Sequence, residues 1–247
     1  MSTSYETYLE VCKVATQSRN AFNGFKHNKR YRKILEHVSK EQGDEYYNII
    51  EKEYPELFKD ALFNMFLEND QVGQPRQYMY GGRMISPTTL RYIKVLGDLL
   101  STFDLNNADI IEIGGGYGGQ AKIIHDAVKV KSYTIVDLPE ALGLAGKYLN
   151  RFFIEPILKT PDDIFREHYD LCISNYAFTE IERIYQERYA EEIIKKSDKG
   201  YITCNFFDKR FGMSREEVKA LRSKHWRLPE RPLTAPDNFI YLWDLTK

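Results

Sequence analysis

The sequence predicts an α/β fold: a mostly parallel sheet covered by helices, with an all-helical segment ahead of it. Three observations carry this. From residue 109 onward, short apolar strand patterns alternate with helical ones, the order that builds parallel sheets. The run Asp109-Ile-Ile-Glu-Ile113 leads straight into Gly114-Gly-Gly-Tyr-Gly-Gly119, so a strand enters a glycine turn. Residues 1 to about 70 show the helical period and no strand pattern.

In chain order, the front end predicts helices near 4–18, 29–40, 44–53 and 56–67, with Pro55 suited to the start of the last. The stretch from Arg19 to Lys40 is basic and that from Glu41 to Asp70 mainly acidic. Two solvated faces attracting each other explain this more simply than a patch for a phosphorylated acceptor. Residues 69–89 break the period with glycine and proline and read as a long loop. Its Tyr80 and Arg83 are candidates for reaching the acceptor, with an ordered linker as the plain alternative. Ser86 followed by Pro87 reads as an N-cap and first residue of a helix over 88–102. The expected division is a helical cap with connecting loop at 1–85 and a sheet domain at 86–247.

At the turn, Gly114, Gly116 and Gly119 satisfy G-x-G-x-x-G, which lets the backbone turn tightly and bring N–H groups against a ligand. A helical pattern follows (Ala121, Ile124, Val128), and the next strand, Tyr133-Thr-Ile-Val-Asp137, ends in an acid placed to meet a ribose. The alternative is a flexible loop, with Asp137 capping a helix before Pro139. NAD brings a pyrophosphate, which favours a helix N-terminus free of nearby negative charge. Glu112 stands two residues before Gly114, and an acid there suits a cofactor with a cationic centre and an amino group, as in S-adenosylmethionine. The cofactor set is Glu112, Gly114, Gly115, Gly116, Tyr117, Gly118, Gln120, Asp137, Leu138 and Asn175.

Further on come a helix over 139–150, a strand near 152–157, a strand at 170–174, a helix over 181–195 and a strand over 201–207. Extended segments near Trp226 and over 239–245 predict an antiparallel edge hairpin, the feature that separates methyltransferase sheets from plain dinucleotide folds. Ligands of open sheets bind beyond the carboxyl ends of the strands, so the loop Ser174-Asn-Tyr-Ala-Phe-Thr-Glu180 should face the cofactor. Asn175 and Tyr176 are its contact candidates, Tyr176 standing with the catalytic group. Glu180 is a candidate base for an acceptor hydroxyl, or a capping acid of the next helix. His225 is a second candidate base by its near-neutral pKa, or an exposed loop histidine. Asn205 can bond an acceptor hydroxyl or satisfy a local turn. His125 and His168 fall on positions directed away from the ligand side.

Across the 247 residues, 35 Lys plus Arg against 36 Asp plus Glu give a net charge of -1, which leaves no global field to recruit nucleic acid or a membrane. Cys12, Cys172 and Cys204 lack metal-ligand spacing, so no metal site is expected and a reduced, cytoplasmic setting is. The N-terminus has no apolar leader pattern, no stretch approaches a membrane span, and no repeat or low-complexity segment occurs. The 18 Tyr and 14 Phe can line a core or an interface, which leaves a homodimer open beside a small-molecule or glycan acceptor.

Ile-Ser-Pro-Thr-Thr-Leu-Arg-Tyr (85–92) followed by Ile-Glu-Ile-Gly-Gly-Gly-Tyr-Gly-Gly-Gln (111–120) resembles the sugar O-methyltransferases of bacterial surface-polysaccharide gene clusters. So do Val136-Asp-Leu-Pro139, Ile173-Ser-Asn-Tyr-Ala-Phe-Thr-Glu180 and Pro232-Leu-Thr-Ala-Pro-Asp-Asn238, and the likeness spans roughly residues 68 to 245. The resemblance implies a Rossmann-like class I methyltransferase that uses S-adenosylmethionine, releases S-adenosylhomocysteine and methylates hydroxyls of capsule or O-antigen sugars. Relatives of that kind also implicate small phosphate- or phosphoramidate-type capsule modifiers as acceptors. Two rivals stand beside it. An NAD-dependent sugar oxidoreductase usually shows Tyr-x-x-x-Lys, and Arg188-Tyr-Ala-Glu-Glu-Ile193 has no such lysine. A non-catalytic module would bind S-adenosylmethionine and dock a partner through its helical end.

Overall fold

Central strands buried on both faces need continuous apolar runs, and β3 (Asp109–Ile113) is buried at all of its positions. In the computed structural model, which describes residues 3–206 and 212–246, β3 pairs in parallel with β4 (Ser132–Val136), register Asp109↔Ser132 to Ile113↔Val136. On its other side it pairs in parallel with β6 (Tyr169–Asn175). β5 (Ile157–Lys159) extends the sheet beyond β4, and β7 (Ser197–Cys204) extends it beyond β6, both in parallel. β9 (Phe239–Asp244) runs antiparallel to β7, and β8 (Trp226–Pro229) runs antiparallel to β9. The order is thus β5-β4-β3-β6-β7-β9-β8 with β9 alone reversed. That is the Rossmann-like sheet of class I methyltransferases, edge hairpin included, as the sequence predicts. Every strand but β9 ends at one edge, where β9 begins.

The chain divides into two compact units, and the sheet lies in the one made of Phe103–Gly115, Lys129–Asp137 and Pro156–Lys247. Its core gathers Ile111, Cys172, Ile193, Ile202, Tyr241 and Trp243. Gly200 pairs with Trp243, and a Cβ there would stand 2.0 Å from the indole, so glycine at this point makes room for the ring. The helix predicted over 181–195 is present as α10 (Arg183–Tyr189) running directly into a π turn (Ala190–Ile194); ahead of it stands a separate short helix, α9 (Ala177–Glu180), which ends where Ile181 takes an extended ψ of 163°. The strand predicted near 152–157 forms only after Pro156, because Phe152, Phe153 and Ile154 first close turns onto Leu149 and Asn150. The strand predicted over 201–207 begins earlier, at Ser197; Phe207 lies outside the described residues.

The other unit comprises Met1–Thr102, Gly116–Val128 and Leu138–Glu155. In it α1 (Thr3–Gln17) packs on α8 (Pro139–Asn150), while α6 (Pro87–Thr102) lies between α4 (Lys40–Glu53) and α7 (Gly119–Ala127). The helix predicted over 29–40 stops after one turn, α3 (Lys29–Arg32). Ser39 then starts α4 with a reciprocal capping box to Gln42, four residues ahead of the expected start. The helix predicted over 56–67 is a 3-10 turn, Pro55–Phe58, and then α5 (Asp60–Leu67), with Lys59 extended between them. The expected long loop contains a hairpin of β1 (Tyr78–Tyr80) and β2 (Arg83–Ile85), turned at Gly81 (φ 53°) and Gly82 (φ 79°). Ser86 caps α6 as expected, its Oγ accepting the Thr89 N–H at 3.2 Å.

Candidate functional site

The carboxyl edge of the sheet collects polar side chains from consecutive strand ends. Glu112, 2% exposed, accepts the Tyr133 hydroxyl at 2.9 Å from neighbouring β4. Burial pushes its carboxyl up to about 7; the tyrosine bond opposes this and the charge of Asp137 adds to it. A Cβ on Gly115 would lie 3.1 Å from Glu112 Oε2, so the carboxylate sits directly beneath the turn. In that turn Gly114, Gly116 and Gly118 take φ of 75°, 56° and 86°, the left-handed region that only glycine enters freely. Gly114 has a second reason to be glycine, since a Cβ would stand 2.0 Å from that of Ala177. Its N–H donates to Val136 O at 2.8 Å, tying the turn to the end of β4. Asp137, half-buried, leaves β4 there with its N–H on Lys159 O. Two carboxylates therefore lie at the ends of adjacent strands, one residue inside β3 and one residue past β4, beside a glycine-rich turn.

Beyond β3 on the same edge, Ser174 Oγ bonds Ile113 O and accepts the Phe178 N–H, which fixes the loop after β6. Tyr176 follows at φ 70°, a conformation costly for a residue with a side chain. Its hydroxyl donates to the carboxylate of Glu230 just past β8. Glu230, 5% exposed, also accepts the Thr234 N–H at 2.8 Å and Asn238 Nδ2 at 3.0 Å. Asn205, past β7, exchanges hydrogen bonds with Thr179 and donates from Nδ2 to Glu180 Oε1 at 2.5 Å. Asn175, Tyr176, Glu180 and Asn205 thus share one edge. The N-cap position of α10 is Glu182, whose side chain makes no capping bond, so Glu180 is not that helix's cap.

Other expected site residues stand elsewhere. β8 runs parallel to β7, so His225, just before it, lies level with Gly200 rather than at the carboxyl edge. Its ring stacks on Tyr241 at 4.9 Å, and Nδ1 bonds Arg222 O. This corrects its assignment as a base at the edge. Tyr117 turns its ring into an aromatic cluster with Phe25, Tyr92 and Tyr148, and Gln120 donates to Tyr92 O, so these two side chains are committed to packing. Gly118 and Leu138 are the N-caps of α7 and α8. Tyr80 bonds Lys40 O at 3.0 Å, and Arg83 bonds Asn64 and Asp60 at 2.6 and 2.7 Å, so both fasten the hairpin to helices of their own unit. Sequence reasoning missed Tyr133 and Glu230. The phenol two residues along β4 and an acid in a segment punctuated by Pro229, Pro232 and Pro236 were the signals.

At the opposite edge His168, Asp170 and Asp198 bring ligand atoms within 4.8 Å of one another. They already satisfy each other and the backbone: His168 pairs with Asp198 at 3.0 Å, and Asp170 accepts the Asp109 N–H. Among the described residues no helix is long and apolar enough to cross a membrane.

No family model and no curated protein matches the chain. Among solved structures it is similar to the methyltransferase domain of bacterial CtHen1-CN, with 15% identity over 63% of this chain and 97% of that one, TM-score 0.46. It is also similar to an rRNA methylase from Streptococcus thermophilus (18%, 57% and 89%, TM-score 0.43). A third likeness is to an O-methyltransferase family 2 protein from Planctomyces limnophilus in complex with apigenin (13%, 62% and 58%, TM-score 0.44). These likenesses are partial, and the fold assignment rests on the strand order given above.

Proposed function

We propose that the chain is an S-adenosylmethionine-dependent O-methyltransferase whose acceptor is a hydroxyl of a sugar or sugar nucleotide in surface-glycan biosynthesis. The observation that carries this is the carboxyl edge itself: Glu112 and Asp137 beside a turn of left-handed glycines, with a polar group two strands wide next to them. The donor set fits this cofactor better than a dinucleotide, because the Glu112 carboxylate under the turn disfavours a pyrophosphate and suits a cation, while Asp137 suits ribose hydroxyls. When bound, S-adenosylmethionine supplies a methyl group on a cationic sulfur.

The chain's own residues do the rest. Asp137 accepts the ribose hydroxyls, and Gly114 to Gly116 let the backbone approach closely. Asn175 and Tyr176 line the side where an acceptor enters, and Glu230 anchors the hydroxyl of Tyr176, whose backbone is left-handed. Glu180, exposed and steadied by Asn205, takes the hydroxyl proton as the acceptor oxygen forms its new bond. Alignment of that oxygen accounts for much of the acceleration in such a displacement.

The test is incubation with methyl-labelled S-adenosylmethionine and a panel of nucleotide sugars, with ribosomal RNA and small amines as controls. Label on a sugar hydroxyl, lost in Glu180→Ala, is the expected outcome. Label only on RNA or amines would replace the acceptor class.

A further inference from the structure

In the sheet β7 and β9 stand between β6 and β8, so no ladder holds together the loops that follow β6 and β8. They are joined at the carboxyl edge by the bond from the Tyr176 hydroxyl to Oε1 of Glu230, two residues of the same compact unit.

Glu230 is 5% exposed, and a carboxylate taken out of water is costly unless donors surround it. Thr234 gives its N–H to Oε2 at 2.8 Å, and its Oγ1 lies 2.9 and 2.8 Å from Oε1 and Oε2. Asn238 Nδ2 lies 3.0 Å from Oε2 and also reaches Thr234 Oγ1 at 2.8 Å. That arrangement leaves Asn238 Oδ1 buried with no partner among the described residues. An unsatisfied buried oxygen is unfavourable, so the amide is turned to serve the carboxylate at its own expense. A backbone N–H and an amide NH2 can only donate. Glu230 is therefore the acceptor of the group, and the Tyr176 proton has one direction.

The backbone of Tyr176 is constrained as well. Its φ of 70° persists in a residue with a side chain only where the surroundings impose it. Its N–H donates to Thr203 O at 3.0 Å, and its carbonyl accepts the Thr179 N–H at 3.3 Å. The bond to Glu230 then holds the far end of the ring.

We propose that Glu230 is a positioning residue for methyl transfer. Through the Tyr176 hydroxyl it sets where the ring stands and where its proton points, and so governs the methyl acceptor and not S-adenosylmethionine. The inference rests on the reading of Tyr176 as an acceptor contact and adds to it a residue 54 positions away. Glu230→Gln tests direction as well as position. Its amide oxygen can keep Thr234 and Asn238, and its NH2 then faces Tyr176 and turns that hydroxyl from donor into acceptor.

The test uses methyl-labelled S-adenosylmethionine with UDP-glucose, UDP-galactose and GDP-mannose as probes. It compares wild type, Glu230→Gln, Tyr176→Phe and the double variant. In each single variant kcat/KM for the labelled sugar should fall about tenfold or more, the worth of a hydrogen bond to a charged group. KM for S-adenosylmethionine and calorimetric affinity for S-adenosylhomocysteine should stay within about twofold. The double variant should lie within about twofold of the poorer single one, because one residue acts through the other. Losses that multiply, or S-adenosylhomocysteine affinity that falls along with the sugar's kcat/KM, would overturn the assignment. A wild type that binds S-adenosylhomocysteine and labels none of the three sugars would instead overturn the acceptor reading, and the assignment with it. If Glu230→Gln does not fold, Tyr176→Phe, which lacks a single oxygen, carries the test. Amide exchange at Thr234 should quicken about fivefold or more in that variant, with S-adenosylhomocysteine affinity unchanged. Unchanged exchange at Thr234 refutes the proposal.

Discussion

Replacing Gly114 by alanine asks the most of the turn after β3. The position has φ 75°, where a Cβ costs about 1–2 kcal/mol for an L-residue. The new Cβ would also stand 2.0 Å from the Ala177 Cβ, whereas carbons rest at about 3.5–4.0 Å. Relieving that overlap by moving α9 away from β3 belongs with core overpacking, about 1–3 kcal/mol. The expected loss is the combination, about 2–5 kcal/mol, a large share of the roughly 5–15 kcal/mol that domains possess. Urea unfolding followed by circular dichroism measures it. The two causes separate in a double-mutant cycle, since Ala177→Gly removes the overlap but not the backbone strain. Coupling of about 1–3 kcal/mol between Gly114→Ala and Ala177→Gly is expected. A single variant within about 0.5 kcal/mol of wild type, or additive effects in the pair, would refute the account of why glycine stands there.

Two further outcomes follow from the same unit. Gly200→Ala drives a methyl into the Trp243 ring and should lower stability by about 1–3 kcal/mol in the same unfolding assay, with loss of the near-ultraviolet tryptophan signal. Glu112 gives a pH dependence. Its folded pKa lies near 7 against an ordinary 4.5, so between those values the folded chain keeps a proton that the unfolded chain has lost. Stability contributed by this group is full below 4.5, falls as pH rises through that window and is flat above it, by up to about 3 kcal/mol. Comparing urea midpoints at pH 5 and 7.5, the drop should shrink in Glu112→Gln; an unchanged drop would show that the carboxyl is not the cause.

What the sequence made legible is what local chemistry dictates. The β3 run, the glycine spacing and the acid after β4 are each written within a dozen residues, and the structure has the strand, the left-handed glycines and the strand that leads to Asp137. The reversed β9 was legible from its apolar pattern beside a second extended segment. What failed depended on partners remote in the chain. His225 suited a base by residue type, but only the direction of β8 says that it lies away from the edge. The bond from Tyr176 to Glu230 spans 54 residues, and no period or spacing joins the two. The stop after α3 was partly written: Ser39 and Gln42 are a capping-box pair, which marks a new helix start inside the run read as continuous. The burial of Lys26 in a basic stretch was not, since its place under Tyr117 depends on where the turn comes to lie.

The central claim is that the glycine turn and its two carboxylates hold S-adenosylmethionine. Calorimetric titration of the wild type and Asp137→Ala with S-adenosylmethionine, S-adenosylhomocysteine and NAD tests it directly. Saturable binding of the first two, none of NAD, and a loss in Asp137→Ala are expected. Binding of NAD, or of none of the three, would contradict it.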